Sequence, residues 1–205
     1  MKKIVTFLIF SVILYSFLFA AVGCDLNDPD RDVKRFFSDS TGYKTAYLSL
    51  EKLGGSELLK EVEQKLGDNF QGLYETPDVP YTVYTIYKNS DIIGYIHGIN
   101  QKGQYGGIQV FLVYDLKGNI INFYYQKLTS KKAKDLRATS FSNQFIGLNL
   151  KDFENYDPKT GKTDNKKIIE IKNPNPDNNI DFLATIRAVK KNLILMDIFV
   201  FNKNK

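Results

Sequence analysis

The sequence has one cysteine, one histidine and no tryptophan among its 205 residues. A single cysteine excludes an intramolecular disulfide, so packing alone must hold the fold together. One cysteine and one histidine are too few for a zinc cluster or a catalytic pair, and no convincing serine, histidine and aspartate arrangement is present. The glycine-rich phosphate loops of kinases and dinucleotide enzymes are also missing. We therefore assign no catalytic residue and no metal ligand from the sequence.

The chain lacks a large excess of charge of one sign, and its histidine lacks a partner motif. The formal net charge of +5 is too small an imbalance to indicate a nucleic-acid partner. The histidine, His97, lies in a strand-like run without a partner motif, so we interpret it as a partly buried polar residue rather than a catalyst. Neither feature supports a hydrolase, a kinase or a nucleic-acid-binding protein.

Aromatic residues are abundant, with 13 tyrosines and 15 phenylalanines. Aromatic side chains favour strands over helices. The chain is 43% hydrophobic and 25% charged, which suits one globular domain with some appended sequence. We therefore expect a single α+β or mostly β domain.

Residues 94–125 have the pattern of an antiparallel meander, because three apolar runs are separated by two turns that contain glycine. In the middle run, Ile108 and Val110 fall on one face and Phe111 falls on the other. Apolar residues on both faces are typical of a strand in the interior of a sheet. The glycine-rich turn at residues 103–107 is the first place to look for a ligand.

Helix and strand patterns flank this meander. They predict a helix over residues 56–66, a strand over residues 81–87, a short strand over residues 168–171, and a helix over about residues 182–195 capped by Asp181. The apolar tail at residues 193–201 leaves a strand open as an alternative to the end of the last helix. Together these patterns predict an α+β domain in which an antiparallel meander packs with a few helices.

The first residues have the pattern of a signal peptide, with Lys2 and Lys3 before an apolar run at residues 4–19 and small residues at 20–23. Residues 21–24 resemble the lipobox of bacterial lipoproteins, in which the cysteine, here Cys24, becomes the N-terminus and is lipidated. That resemblance implies an extracytoplasmic domain that is lipid-anchored to a bacterial membrane. An uncleaved transmembrane anchor is the alternative, because about 20 apolar residues span a bilayer.

These features divide the chain into three parts. Residues 1–23 are the expected lipoprotein signal peptide. Residues 24–45 begin with a polar and charged stretch, and we interpret them as a tether between the lipid and the domain. Residues 46–205 are the predicted α+β domain.

An ordered series of motifs runs through the predicted sheet and the segment after it. The motifs are the turn and strand at residues 103–110, the hairpin at residues 114–120, the stretch FSNQFIG at residues 141–147, and the stretch DFLATIRAV at residues 181–189. In order and spacing they resemble the FMN-binding domain found in flavin-carrying subunits of Rnf-type and sodium-pumping electron-transport complexes. The resemblance covers about residues 81–192, and it implies FMN binding, electron transfer and a redox partner protein.

The resemblance also implies which residues hold the cofactor. In the family a threonine can be joined to FMN through a phosphoester, and the matching residue here is Thr185. Phe182 and Leu183 stand where the family has serine and glycine, which disfavours covalent attachment because a transferase must approach the motif closely. The turn before the middle strand supplies further cofactor-binding candidates, which are Gly103, Tyr105, Gly106 and Gly107.

Physical reasoning about the same stretch leaves two interpretations open. A helix that starts near Asp181 places Thr185 in its first turn, where free N–H groups and the helix dipole favour a phosphate, and Arg187 adds positive charge nearby. Alternatively, Thr185 is an ordinary helix residue and the basic residues form a solvated face. A second function therefore also stays open, namely a lipoprotein that uses the turn at residues 103–107 and its aromatic residues to bind a protein or a small ligand.

Overall fold

The computed structural model describes residues 24–72, 74–177 and 179–202. The expected signal peptide at residues 1–23 lies outside these described residues. Within them, every helix is too short or too polar to cross a membrane. The chain forms one five-stranded antiparallel sheet accompanied by helices, which confirms the predicted α+β fold.

The sheet is a meander in which each strand pairs with its neighbour in sequence. Its strands are β1 (Gly42–Leu48), β2 (Tyr81–Lys88), β3 (Asp91–Lys102), β4 (Gly107–Tyr114) and β5 (Ile120–Leu128). The predicted strands at residues 81–87 and 94–125 are confirmed, and β1 lies across the boundary drawn between tether and domain. The ends of β1, β3 and β5 lie with the starts of β2 and β4 at one end of the sheet, which we call the Lys102 end.

The helices surround this sheet. They are α1 (Pro29–Phe36), α2 (Leu50–Leu53), α3 (Gly55–Leu66), α4 (Ala133–Leu136), α5 (Thr139–Ser142), α6 (Lys166–Ile169) and α7 (Asn179–Met196), with short 3-10 helices at Asn143–Phe145 and Leu150–Phe153. The predicted helix at residues 56–66 is confirmed as α3. Gly67 ends it with φ +77, a left-handed conformation that glycine adopts without strain.

Two predictions near the C-terminal part are corrected by the structure. Residues 168–171 do not form a strand, because the Asn165 side chain accepts a hydrogen bond from the backbone N–H of Lys167 and starts α6 there. The apolar tail at residues 193–201 continues α7 and then forms the π-helix Asp197–Phe201, so the strand alternative is wrong. Its apolar residues instead fill the core, where Phe199 is 1% exposed.

Both faces of the sheet are covered by apolar residues. On the front face, β4 contributes Ile108 and Val110 to a core shared with α7. On the back face, Phe111 and Val113 pack against residues from the N-terminal segment. All four side chains are fully buried, which confirms that β4 is an interior strand.

The N-terminal segment forms the back layer rather than a free tether. Asp28 caps α1 by accepting a hydrogen bond from the backbone N–H of Arg31, and Val33 on α1 is buried against the sheet. Phe37 packs so closely over Gly94 that a Cβ at this glycine would lie 2.5 Å from the ring. The structure therefore differs from the interpretation of residues 24–45 as a tether, since apolar residues within that segment cover an apolar sheet face.

Cys24 begins this back layer, and 2% of it is exposed. Burial raises the pKa of its thiol, because a thiolate is poorly solvated there. Lipidation of the sulfur, which the lipobox predicts, requires the Cys24 side chain to leave this position.

Candidate functional site

The candidate site lies where α7 meets the turn between β3 and β4, at the Lys102 end of the sheet. The backbone N–H of Gln104 in this turn donates a 2.7 Å hydrogen bond to Asp181 Oδ1. The hydroxyl of Ser130, which follows β5, donates a 2.6 Å hydrogen bond to Asp181 Oδ2. Asp181 lies in the first turn of α7 and is fully buried, so it ties together three segments that are distant in sequence.

An open cavity of about 340 Å³ lies beside this junction. Its apolar lining comes largely from Ile180, Leu183 and Ala184 on α7, and Tyr74 adds an aromatic side chain. The exposed cations Lys102 and Lys159 also line it. The volume is at the lower end of the about 300–1,000 Å³ that is usual for small-molecule sites.

The buried polar part of this cavity is organised around Arg187. Its Nε donates a 2.9 Å hydrogen bond to Asp68, and its Nη1 donates to Glu75 and to Gln101 Oε1. Its Nη2 donates to the Asn69 carbonyl and to the second oxygen of Glu75, at 3.1 Å each. A guanidinium has five N–H donors, so Arg187 has none left for a phosphate.

Lys191, one helical turn after Arg187, completes the buried charge cluster. Its ammonium is fully buried and donates hydrogen bonds to Glu75 and to the carbonyl of Asn100. Burial lowers the pKa of Lys191 to about 8, although the charge of Glu75 opposes this shift. Burial alone would raise the pKa of Glu75, but the charges of Lys191 and Arg187 hold it below its usual value.

Of the two interpretations of Thr185 left open by the sequence, the structure agrees with that of an ordinary helix residue. Because α7 starts at Asn179, Thr185 lies in the second turn, where backbone N–H groups are already used by the helix. The residue is fully buried, and its hydroxyl donates a 2.8 Å hydrogen bond to the Asp181 carbonyl. The same oxygen lies 2.8 Å from the hydroxyl of Tyr125. The placement of Thr185 in the first turn is therefore corrected.

The glycine-rich turn contacts both α7 and the cavity. A Cβ on Gly103 would lie 2.8 Å from Asp181 Oδ1, so only glycine allows this approach of the turn to the helix. Gly106 has φ +147, which also favours glycine. A Cβ on Gly107 would lie 3.2 Å from the hydroxyl of Tyr74, which lines the cavity.

Tyr105, at the tip of the same turn, lies outside the lining of this cavity. It is 42% exposed, and Lys131 Nζ lies 4.9 Å from the centroid of its ring. The structure thus brings Gly103 and Gly107 to the cavity neighbourhood, and it leaves Tyr105 on the surface.

His97 is more deeply buried than predicted, and it contacts the same helix further from the cavity. Its Nδ1 lies 2.6 Å from Asn192 Oδ1, which also accepts a 2.8 Å hydrogen bond from the Tyr114 hydroxyl. The amide of Asn192 donates back to the His97 carbonyl at 3.0 Å. Burial lowers the pKa of His97 to about 4, so the ring is neutral at pH 7. This network joins α7 to β3 and β4 inside the core.

Sequence reasoning missed Glu75, Asp68 and Tyr74, which lie in a loop with no regular pattern. One signal for them was present. Arg187 and Lys191 lie four residues apart on one helix face, where Leu183, Ala184, Ala188 and Leu195 are apolar, and buried cations on such a face require buried anionic partners. The identity of those partners depends on the path of the loop at residues 67–80.

Comparison with protein-family models and with curated proteins finds no match to this chain. Within the described residues, no group of three or more histidine, cysteine, aspartate and glutamate side chains is placed to hold a metal ion. The resemblance to the FMN-binding domain therefore stays a prediction.

The residues at the cavity fit some parts of FMN and not others. Thr185 is enclosed and Arg187 is saturated, so they do not fit a phosphate in this conformation. The apolar side of the cavity and Tyr74 fit a planar ring, and Lys102 and Lys159 fit an anionic group.

Proposed function

We propose that this chain is a membrane-anchored extracytoplasmic domain that binds FMN without a covalent bond and takes part in electron transfer. One observation carries the proposal. The turn at residues 103–107 and the stretch at residues 181–189, which both contribute to the resemblance, meet through the 2.7 Å hydrogen bond from Gln104 to Asp181. The cavity beside this contact has the size and mixed polarity of a small-molecule site.

The chain's own residues divide the binding task. Ile180, Leu183 and Ala184 offer apolar surface that would exclude water from one side of a planar ring. Lys102 and Lys159 would hold the phosphate, since ammonium groups bind phosphate oxygens as point charges. When bound, the flavin would supply the redox chemistry, while the protein sets its orientation and its electrostatic surroundings.

In this proposal the buried charge cluster positions the loop that lines the cavity. Arg187 and Lys191 hold Glu75, and Arg187 also holds Asp68, so the loop that carries Tyr74 is fixed to α7. A loop fixed before binding loses less conformational entropy when a ligand arrives. This arrangement supports a preformed cavity.

The test is a titration of the purified protein with FMN, followed by flavin fluorescence and by the melting temperature. A ligand selective for the folded state stabilises it by about 2.7 kcal/mol at a hundredfold excess over Kd. Ala184→Phe should fill the cavity and abolish binding, whereas Ala46→Phe, at an exposed alanine on β1, should leave it unchanged. A wild-type protein with no thermal shift at saturating FMN would remove the flavin proposal.

A second candidate function is favoured by the hydrogen bonds that Thr185 and Arg187 already make within the protein. Because neither has a group free for a phosphate, the same cavity and turn suit a small ligand or a protein segment other than FMN. In that case the protein is a non-enzymatic binding lipoprotein. It would be colourless and indifferent to FMN, and Ala184→Phe would still block its own ligand.

A further inference from the structure

A group of exposed lysines lies at the Lys102 end of the sheet. The group, which we call the lysine surface, consists of Lys102, Lys127, Lys131, Lys132 and Lys134. All five are exposed, and none forms an ion pair with another part of the chain that the structure describes. Asp135 is the one acidic residue in residues 127–137, and it accepts a hydrogen bond from the side chain of Asn175. The lysine surface is therefore positive and open to a partner.

Exposed apolar and aromatic residues lie beside these lysines. Tyr105 is 42% exposed next to Lys131, and Ile180 at the start of α7 is 56% exposed. Tyrosine with lysine is a usual combination where a protein meets the head groups of a membrane, because both side chains have an apolar body and a polar tip.

The N-terminal segment reaches the back of the sheet at the same end. The backbone N–H of Leu26 donates a 3.0 Å hydrogen bond to the Tyr84 hydroxyl, and the N–H of Asn27 donates to Gln126 at 2.9 Å. Gln126 also donates to the Asp25 carbonyl at 2.8 Å. Tyr84 and Gln126 lie a few residues from the strand ends that form the Lys102 end, and Lys127 follows Gln126 directly.

The sequence before Cys24 provides the membrane-attaching segment, since residues 4–19 are apolar. Whether this run stays as an anchor or is replaced by lipid on Cys24, the attachment point is close to residue 24. Residues 25–27 are hydrogen-bonded to the sheet, so little free chain separates the attachment point from the domain. Such a short connection gives the neighbouring surface a high effective concentration at the bilayer.

We propose that the lysine surface rests on anionic lipid head groups, with Tyr105 at the interface, so that the Lys102 end of the sheet faces the membrane. This inference rests on the membrane anchoring in the proposed function and is independent of FMN. Charge complementarity and the short connection at residue 24 both favour a lipid surface over an acidic protein.

This orientation would also bring the mouth of the cavity close to the membrane. Gln101, Lys102 and Ile180 line the cavity, and they belong to the same end of the sheet and the start of α7. The ligand in the cavity would then be exchanged, or would react, close to the bilayer surface.

The test uses the full chain reconstituted in vesicles, with tryptophan as a depth probe. The sequence has no tryptophan, so Tyr105→Trp gives a single emitter at the interface. Leu116→Trp, 54% exposed in the turn at the opposite end of the sheet, is the matched control. Vesicles of phosphatidylcholine alone and of phosphatidylcholine with phosphatidylglycerol are prepared with bromine on the acyl chains, which quenches nearby tryptophan.

We expect quenching of Trp in the Tyr105→Trp protein in the anionic vesicles, with much less quenching in the neutral vesicles and in the Leu116→Trp protein. Lys131→Gln in the Tyr105→Trp background should lower the docking constant about fivefold, whereas Lys117→Gln should leave it unchanged. High salt should release the domain while the anchor holds, because the screening length falls to about 3 Å at 1 M.

Flotation of the vesicles separates failure of docking from failure of anchoring. Protein that floats with the vesicles but shows equal quenching for the two probes, or none, would overturn the lipid-facing surface and leave an acidic protein as the partner of the lysines. Protein that does not float would overturn both the anchor and the docking. Neither result bears on the FMN titration, which uses no vesicles.

Discussion

Glu75 lies between Arg187 and Lys191, and its carboxylate accepts hydrogen bonds from both side chains. All three residues are at most 8% exposed. Removing a charge from water costs several kcal/mol per ion unless a partner compensates it, so each member of this group depends on the others. The group also holds Asp68, Asn69 and Glu75 against α7 and thereby forms one side of the cavity.

Glu75→Ala should therefore destabilise the protein strongly. It leaves two buried cations without their anion, and breaking a buried pair in this way costs about 3–5 kcal/mol. Denaturant unfolding of the variant and the wild type measures the difference. Glu170→Ala, at an exposed glutamate after α6, is the control and should change stability by less than about 0.5 kcal/mol. Equal midpoints for the two variants would show that the cluster does not form.

The single histidine gives a pH prediction that no second imidazole obscures. Burial lowers the pKa of His97 from its usual 6.5 to about 4. At a pH between these two pKa values, the imidazole of His97 is mostly protonated in the unfolded chain and mostly neutral in the folded chain. The contribution of His97 to the free energy of unfolding therefore falls as the pH drops from about 6.5 to about 4, by at most about 1.4 kcal/mol per pH unit.

Two measurements check this. The ring signals of His97 in the native protein should stay those of a neutral imidazole at pH 5. The free energy of unfolding of wild type minus that of His97→Gln should decrease with falling pH in this window, which removes the contribution of the carboxylates common to both proteins. A native ring that titrates near pH 6.5 would contradict the burial of His97.

Gly94→Ala tests the packing of the N-terminal segment on the back of the sheet. The added methyl group would lie 2.5 Å from the Phe37 ring and 2.6 Å from the Tyr114 carbonyl oxygen. Overpacking of this kind costs about 1–3 kcal/mol. Gly42→Ala is the matched control, because a Cβ there meets no atom within 4 Å. If both variants melt at the wild-type temperature, the N-terminal segment does not pack on the sheet, as expected for the predicted tether at residues 24–45.

Thr185→Val separates a core position from a phosphate site. The change removes the hydrogen bonds to the Asp181 carbonyl and with the Tyr125 hydroxyl, and leaving buried polar groups unpaired costs about 1–3 kcal/mol. The affinity for FMN should be unchanged. Thr45→Val, at an exposed threonine on β1, should alter neither quantity. A Thr185→Val protein of wild-type stability that no longer binds FMN would restore Thr185 as a ligand of the phosphate.

Strands β2 to β5 were predictable because their signals are local, whereas β1 was not predicted from the sequence. Alternation at residues 108–113 and the glycine turns determine strands and hairpins that pair with their sequence neighbours. The back layer was not predictable in this way, because its polar sequence hides a few apolar contacts such as Phe37 with Gly94. The strand predicted at residues 168–171 was wrong because a short apolar run is compatible with a strand or a helix. The cap at Asn165 favours the helix.

The same difference between local signals and distant contacts applies to the candidate site. The turn at residues 103–107 and the stretch at residues 181–189 were named as candidate parts of the site from motifs in the sequence, and the structure adds the contact between them. The roles of Arg187 and Lys191 did not, because a basic helix residue looks the same whether it faces solvent or a buried carboxylate. Glu75 supplies that carboxylate from a loop 112 residues earlier than Arg187, a distance over which no periodicity applies.

The order of pairing in the sheet has a consequence for the time course of folding. Three of the four strand pairings, from β2 to β5, are hairpins, and such local contacts form quickly, whereas α2 and α3 lie between β1 and β2. The first described residues behave differently, since Asn27 bonds to Gln126 across 99 positions. Because the chain is synthesised from its N-terminus, residues 24–41 lack some of their final partners until β5 has been made. Closure of the back layer is expected as a late step of folding, after the meander has assembled.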